Sequence, residues 1–137
     1  MVREIVRDVI FLRQKSETAT KEDMAIANDL LDTLKAHAHH CVGMAANMIG
    51  EAKRIIAIKS GETYLVMLNP EIVKESARQY KTSEGCLSLD GERETTRHDW
   101  IEVKYRGMDF KKTRQKFSGF TAQIIEHEID HLNGILI

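Results

Sequence analysis

The chain has 137 residues, 42% of them hydrophobic and 30% charged, which fits one soluble globular domain over residues 1–137 and excludes a disordered chain. A formal net charge of −1, with no basic stripe carrying interleaved aromatics, argues against nucleic acid or an anionic membrane as partner. The opening "MVREIVRDVIFLRQK" alternates charged and apolar residues, and no segment approaches the ~18 apolar residues of a membrane helix. Neither a signal peptide nor a span is expected, and the cytoplasm is the expected compartment.

In chain order, "ATKEDMAIANDLLDTLKAHAHH" (Ala19–His40) is the first predicted helix. Thr20 caps it with Asp23 as a capping-box acid, and Ala27, Leu30, Leu31 and Leu34 form its apolar stripe. "CVGMAANMIG" follows, rich in small residues. "RIIAIKS" and "TYLVMLN" read as strands parted by a Ser60–Gly61 turn, Pro70 as a turn, and "EIVKES" as a further strand. "IEVKYRGMDF" and "KKTRQKF" read as a hairpin about Gly107–Lys111. "SGFTAQIIEHEIDHLNG" is the second helix, started by Ser118 or Gly119 and stopped by Asn133–Gly134. With no helical crossovers, the strands should pair antiparallel in an α+β fold.

The chemistry lies in "HEIDH". His127 and His131, four apart on a helix, place both imidazoles on one face with Glu128 beside them. Ile125, Ile129 and Leu132 make one apolar stripe, and Ile124 lies on the histidine face. The helix is thus expected to be covered nearly all round, with a buried polar patch that a divalent metal satisfies. The alternative is a surface helix with solvated histidines. Glu128 is the expected general base, taking a proton from the attacking water and returning it to the leaving group. Asp130 and Glu126 read as helix-surface acids. No His, Asp, Glu or Cys follows His131, so a third ligand must come from upstream, where Cys86 in "TSEGCLSLDG" offers a thiolate beside a glycine. Cys41 and Cys86 could instead form a disulfide, which the expected compartment disfavours.

"EGCLS" (Glu84–Ser88), "HEIDH" (His127–His131) and "VGMAANM" (Val42–Met48) resemble the three signature motifs of peptide deformylases, the last being similar to G-x-G-L-A-A-x-Q. The resemblance covers almost the whole chain. It implies antiparallel β-sheets packed around a C-terminal helix carrying HExxH, with one N-terminal helix. It implies a metal held by Cys86, His127 and His131, with Fe(II) as the native ion and zinc, nickel or cobalt able to replace it. The implied activity is removal of the formyl group from N-formylmethionyl peptides of nascent chains; a monomer is expected. Leu87 would supply a backbone N–H to the oxyanion. Val42, Gly43 and Ile124 would line the methionine pocket, and Arg97 would lie along the substrate peptide. Gln123 is polar where relatives are usually apolar.

The chain departs from the pattern at Met48, where the family's Gln donates a second hydrogen bond to the oxyanion. A thioether cannot donate, and losing one such donor costs ~10²–10³ in rate. Cys41 and Met44 replace a Gly and the Leu of the same motif. Asn47, one residue off, should point elsewhere. An active but slower or differently tuned deformylase is the expected reading. The alternatives are a metal-binding homologue with weak or no activity, regulatory or redox-sensing, a hydrolase of another N-acyl amide, and a metalloprotease. "HAHHC" (His37–Cys41) could form a second metal site but reads as histidines suited to a helix C-terminus. His98 carries no signal, and Trp100 and Phe110 read as packing residues.

Overall fold

A computed structural model describes residues 1–137. The N-terminal segment reaches a single helical turn, α1 (Val9–Leu12), where the Asp8 carboxylate accepts from the Ile10 and Phe11 N–H groups. One turn has no periodicity, so no pattern announced it. A 3₁₀ turn, Lys21–Asp23, then leads into α2 (Met24–Ala36). The expected capping box forms: the Thr20 N–H donates to Asp23 at 2.8 Å, and the Glu22 N–H to the Thr20 hydroxyl at 3.2 Å. The helix ends at Ala36, short of the expected His40. His37 turns back there, its Nδ1 lying 2.8 Å from the Thr33 carbonyl.

Seven strands follow: β1 (Gly43–Ala45), β2 (Ile55–Ser60), β3 (Thr63–Glu75), β4 (Gln79–Cys86), β5 (Leu89–His98), β6 (Trp100–Arg106) and β7 (Lys112–Ser118). Five form a sheet in the order β1-β2-β3-β6-β7, and β4 and β5 pair separately. Every pairing between them is antiparallel, as expected. The two strands expected on either side of Pro70 are one. β3 passes through Asn69 and Pro70 at a register shift between Leu68 and Glu71, with Asn69 at φ +54. A bulge is where a sheet tolerates proline. The Asn69 side chain uses the kink, exchanging bonds of 2.7 and 2.9 Å with the Ala19 backbone and so pinning the approach to α2. β7 is an outer strand of the sheet, and Lys112, Arg114 and Lys116 stand exposed along it.

The final helix, α3 (Gly119–Leu132), packs against β1, β2 and β7, and β5 also touches it. Ala122 and Ile124–Ile129 are buried along it, as are His131 and Leu132. The helix is therefore covered nearly all round, as its apolar stripe and polar patch implied. Its C-terminal carbonyls are satisfied by Arg54, whose guanidinium donates to Leu132 O at 3.0 Å and to the Asn133 side chain at 2.9 Å. Gly134 ends it at φ +77 with the Arg13 backbone packed where a Cβ would sit. Gly134→Ala should therefore lower unfolding free energy by about 2–3 kcal/mol in a urea titration, from backbone strain and a clash that no rotamer relieves.

Candidate active site

α3 places His127 and His131 one turn apart, with their Nε2 atoms 3.0 Å from each other. The last residue of β4 brings up Cys86, and its Sγ and the two imidazoles lie within 4.8 Å of one another. The backbone shifts register between Gly85 and Cys86, which turns the thiol toward α3, and the Ser88 N–H points at Sγ from 3.4 Å. Burial drives His131 well below its ordinary range and keeps it neutral. Burial pushes His127 the same way, but the charge on Glu128 and hydrogen bonds to Cys86 and Glu84 outweigh it and raise it. One thiolate and two imidazoles form a donor set that suits Fe(II), Zn, Co or Ni.

Behind the histidines is a buried ion network. His127 Nδ1 lies 2.7 Å from Glu84 Oε1, which aims Nε2 at His131. The Arg97 guanidinium grips the same carboxylate through Nη2 at 2.7 Å and Nε at 3.0 Å, and gives Nη1 to Asp130 at 2.7 Å. Burial disfavours the Glu84 carboxylate, but His127 and Arg97 hold its pKa down at about 2. Gln123 Nε2 donates to Glu84 Oε2 at 2.9 Å, and the Tyr80 hydroxyl to Gln123 Oε1 at 3.1 Å.

Three expectations are corrected here. Arg97 is only 4% exposed and spends its donors on Glu84 and Asp130, so it stands behind the histidines and not along a substrate. Asp130 is its second anchor. Glu126 is buried and accepts from the His98 backbone N–H at 3.0 Å, with His98 Nδ1 at 2.6 Å, so it is an interior acid and His98 has a structural task, while Asp130 is half-buried against Arg97.

Glu128 lies on the cleft floor beside the Cys/His/His group. It is 4% exposed, its Oε1 has no hydrogen-bond partner, and burial pushes its pKa up to about 7. Gly43 makes room for it: a Cβ there would sit 2.7 Å from both Glu128 Oε2 and an Ile124 methyl. The cleft, about 640 Å³, has Val42, Gly43, Met48, Leu87 and Ile124 in its walls. Met48 is buried, its sulfur 3.5 Å from the Ala45 N–H. Asn47 points away, as expected, and gives its amide to the His131 carbonyl at 2.9 Å.

Some cleft residues carried no signal. Arg7 arrives from the N-terminal segment, donating to Leu87 O at 3.0 Å and Asp90 at 2.6 Å. Phe120 is exposed at the mouth. Glu84 belongs to the "EGCLS" motif, and only the fold shows that it faces His127. Cys41 and Cys86 are both free. Cys41 donates to Gly43 O at 3.0 Å, and burial pushes its thiol up to about 11. The "HAHHC" histidines meet edge to face and do not join a ligand group. Trp100 and Phe110 lie beneath Lys116 and Arg106, 4.3 and 4.5 Å from the ring centres.

Two histidines of an HExxH helix joined by a strand cysteine, with a buried carboxylate at the floor of a cleft, define a metal-dependent hydrolase. The chain belongs to the peptide deformylase family: the polypeptide deformylase model matches residues 3–137. It is 53% identical to a peptide deformylase of Clostridium beijerinckii over the full length of both chains. It is 36% identical to that of Dictyoglomus thermophilum, over all of this chain and 91% of the relative. The Met-Ala-Ser-bound crystal structure of the class I type b enzyme from Acinetobacter baumannii superposes with a TM-score of 0.89 at 28% identity, covering 99% of this chain and 97% of that one. The peptide deformylase of Thermotoga maritima gives 0.87 at 28%, covering 99% and 94%.

Removing Arg97 leaves Glu84 and Asp130 as uncompensated carboxylates. Arg97→Ala should cost about 3–5 kcal/mol of stability in denaturant unfolding. A loss below about 1 kcal/mol would mean that water already solvates the network.

Proposed function

We propose that this chain removes the formyl group from N-formylmethionyl peptides, with Glu128 as the proton carrier and Cys86, His127 and His131 as the ligands of one divalent ion. The family membership makes the chain a metal-dependent deformylase. The observation that carries the residue roles is Glu128 itself, a buried carboxylate with an unpartnered oxygen beside the Cys/His/His group. Fe(II) is the proposed native ion. A bound cation of this class supplies Lewis acidity that eases deprotonation of water and polarises a carbonyl.

The protein groups then divide the work. Glu128, held by burial near neutrality, takes a proton from the attacking water and passes it to the amine nitrogen as the C–N bond breaks, which releases formate and a free N-terminus. The backbone N–H of Leu87, a residue of the cleft wall, donates to the oxygen of the tetrahedral intermediate. Arg7 holds the carbonyl of the same residue, which restrains the peptide planes there. Val42, Gly43 and Ile124 receive the methionine side chain, consistent with the Met-Ala-Ser seen in the Acinetobacter baumannii enzyme. Residues 1–137 act as one domain around one core, and a cytoplasmic monomer meeting nascent chains is proposed. No helix is long and apolar enough to cross a membrane.

Glu128→Gln tests the assignment. The amide is nearly isosteric but cannot accept the proton, so deformylation of a formyl-methionyl peptide should vanish while metal content and melting temperature hold. Retention of most activity would remove Glu128 from the proton path.

Met48→Gln tests the oxyanion wall. Restoring a donor should raise kcat at least ~10-fold, below the ~10²–10³ of a preorganised site, because Cys41 and Met44 also differ. A fall in KM with kcat unchanged would instead mark a ground-state contact.

A further inference from the structure

Gln123 lies one turn before His127 on the same face of α3, and it forms part of the cleft wall. As a sequence feature it is a polar residue in an apolar pocket. Its hydrogen bonds give it another task. Tyr80 and Glu84 project from the same face of β4, four residues apart, and Arg97 is the cross-strand partner of Tyr80. A carboxylate has about four acceptor positions. On Glu84, Oε1 takes His127 Nδ1 and Arg97 Nη2, and Oε2 takes Arg97 Nε and Gln123 Nε2. Gln123 therefore fills the last of them. Its own orientation is set by the Tyr80 hydroxyl on Oε1.

We infer that Gln123 is a positioning residue for His127, acting through Glu84 and oriented by Tyr80, and not a contact for the substrate's methionine. This rests on the reading of His127 as a metal ligand. With its amide nitrogen bonded to Glu84 and its amide oxygen to Tyr80, Gln123 spends its head group on β4 although it stands in the wall of the cleft. Without it, the open position on Oε2 draws in water, the carboxylate turns within the Arg97 fork, and the direction of His127 Nδ1 turns with it.

The test is Zn²⁺ affinity, measured by competition with a chromophoric chelator on protein stripped and refilled, together with KM on a formyl-Met-Ala-Ser peptide. Gln123→Leu should weaken Zn²⁺ binding about tenfold, the lower end of what partners of a ligand contribute. Its KM should stay within about twofold of wild type, since no substrate contact is lost. Tyr80→Phe should weaken binding in the same direction by less, and should add nothing in the Gln123→Leu background, because its effect runs only through Gln123. Unchanged Zn²⁺ affinity in Gln123→Leu overturns the inference, as does a raised KM with affinity unmoved, or an additive double variant. If Gln123→Leu does not fold, Tyr80→Phe decides by the same criterion. His127→Ala is the control: if it binds Zn²⁺ as wild type does, the metal-centre reading fails, whereas loss of binding there with Gln123→Leu unaffected overturns the positioning role alone.

Discussion

The Glu84 carboxylate is the point on which the rest of the site hangs. It is buried, it joins β4 to β5 through Arg97, and it joins both to α3 through His127 and Gln123. A buried carboxylate with no partner is among the costliest groups a fold can hold. Fully bonded, it converts that cost into direction: the Arg97 fork sets the carboxylate plane, and the plane sets the imidazole. Asp130, on the helix that carries both histidines, accepts from Arg97 Nη1 and ties the same guanidinium to α3. The ligand helix and the two-stranded sheet that brings Cys86 are thus held in register by one polar knot and not by apolar packing alone.

What could be read from the sequence divides along sequence distance. The HExxH pair, the capping box of Thr20 and Asp23, and the hairpin around Gly107–Lys111 depend on neighbours a turn or a few residues away. Each appears where its pattern put it. The β4–β5 pair is not legible as strands because "TSEGCLSLDGERETTR" lacks apolar alternation. It is a polar ribbon whose buried face is Glu84 and Arg97. The role of Arg97 failed for the same reason. Partners in β4 and α3 become neighbours only through register and tertiary docking. Asp130 and Glu126 read as exposed because charged residues usually are; His98 makes Glu126 interior, and Arg97 draws Asp130 half out of solvent. Pro70 reads as a turn locally, and the bulge that lets β3 continue through it is a property of the paired sheet.

Met48 shows how a departure from a family pattern is absorbed. The side chain is fully packed, and its sulfur rests against the Ala45 N–H, so the wall of the cleft is intact although its chemistry has changed. Asn47 offers no substitute, since its amide secures the end of α3 at His131. The wall keeps its packing without a side-chain donor, so under the proposed reaction charge stabilisation would fall to the backbone at Leu87 and the ion.

The outer strand β7 bears on how the protein behaves in bulk. An open strand edge is a template for further pairing, and Lys112, Arg114 and Lys116 stand exposed along this one. A second molecule pairing edge to edge would bring the same cations against each other. That safeguard is electrostatic, and electrostatic safeguards shorten with the screening length, from about 10 Å at 0.1 M salt to about 3 Å at 1 M. Concentrated salt, often used to keep proteins in solution, therefore strips this edge of its guard and favours self-association, while dilute buffer keeps the molecules apart.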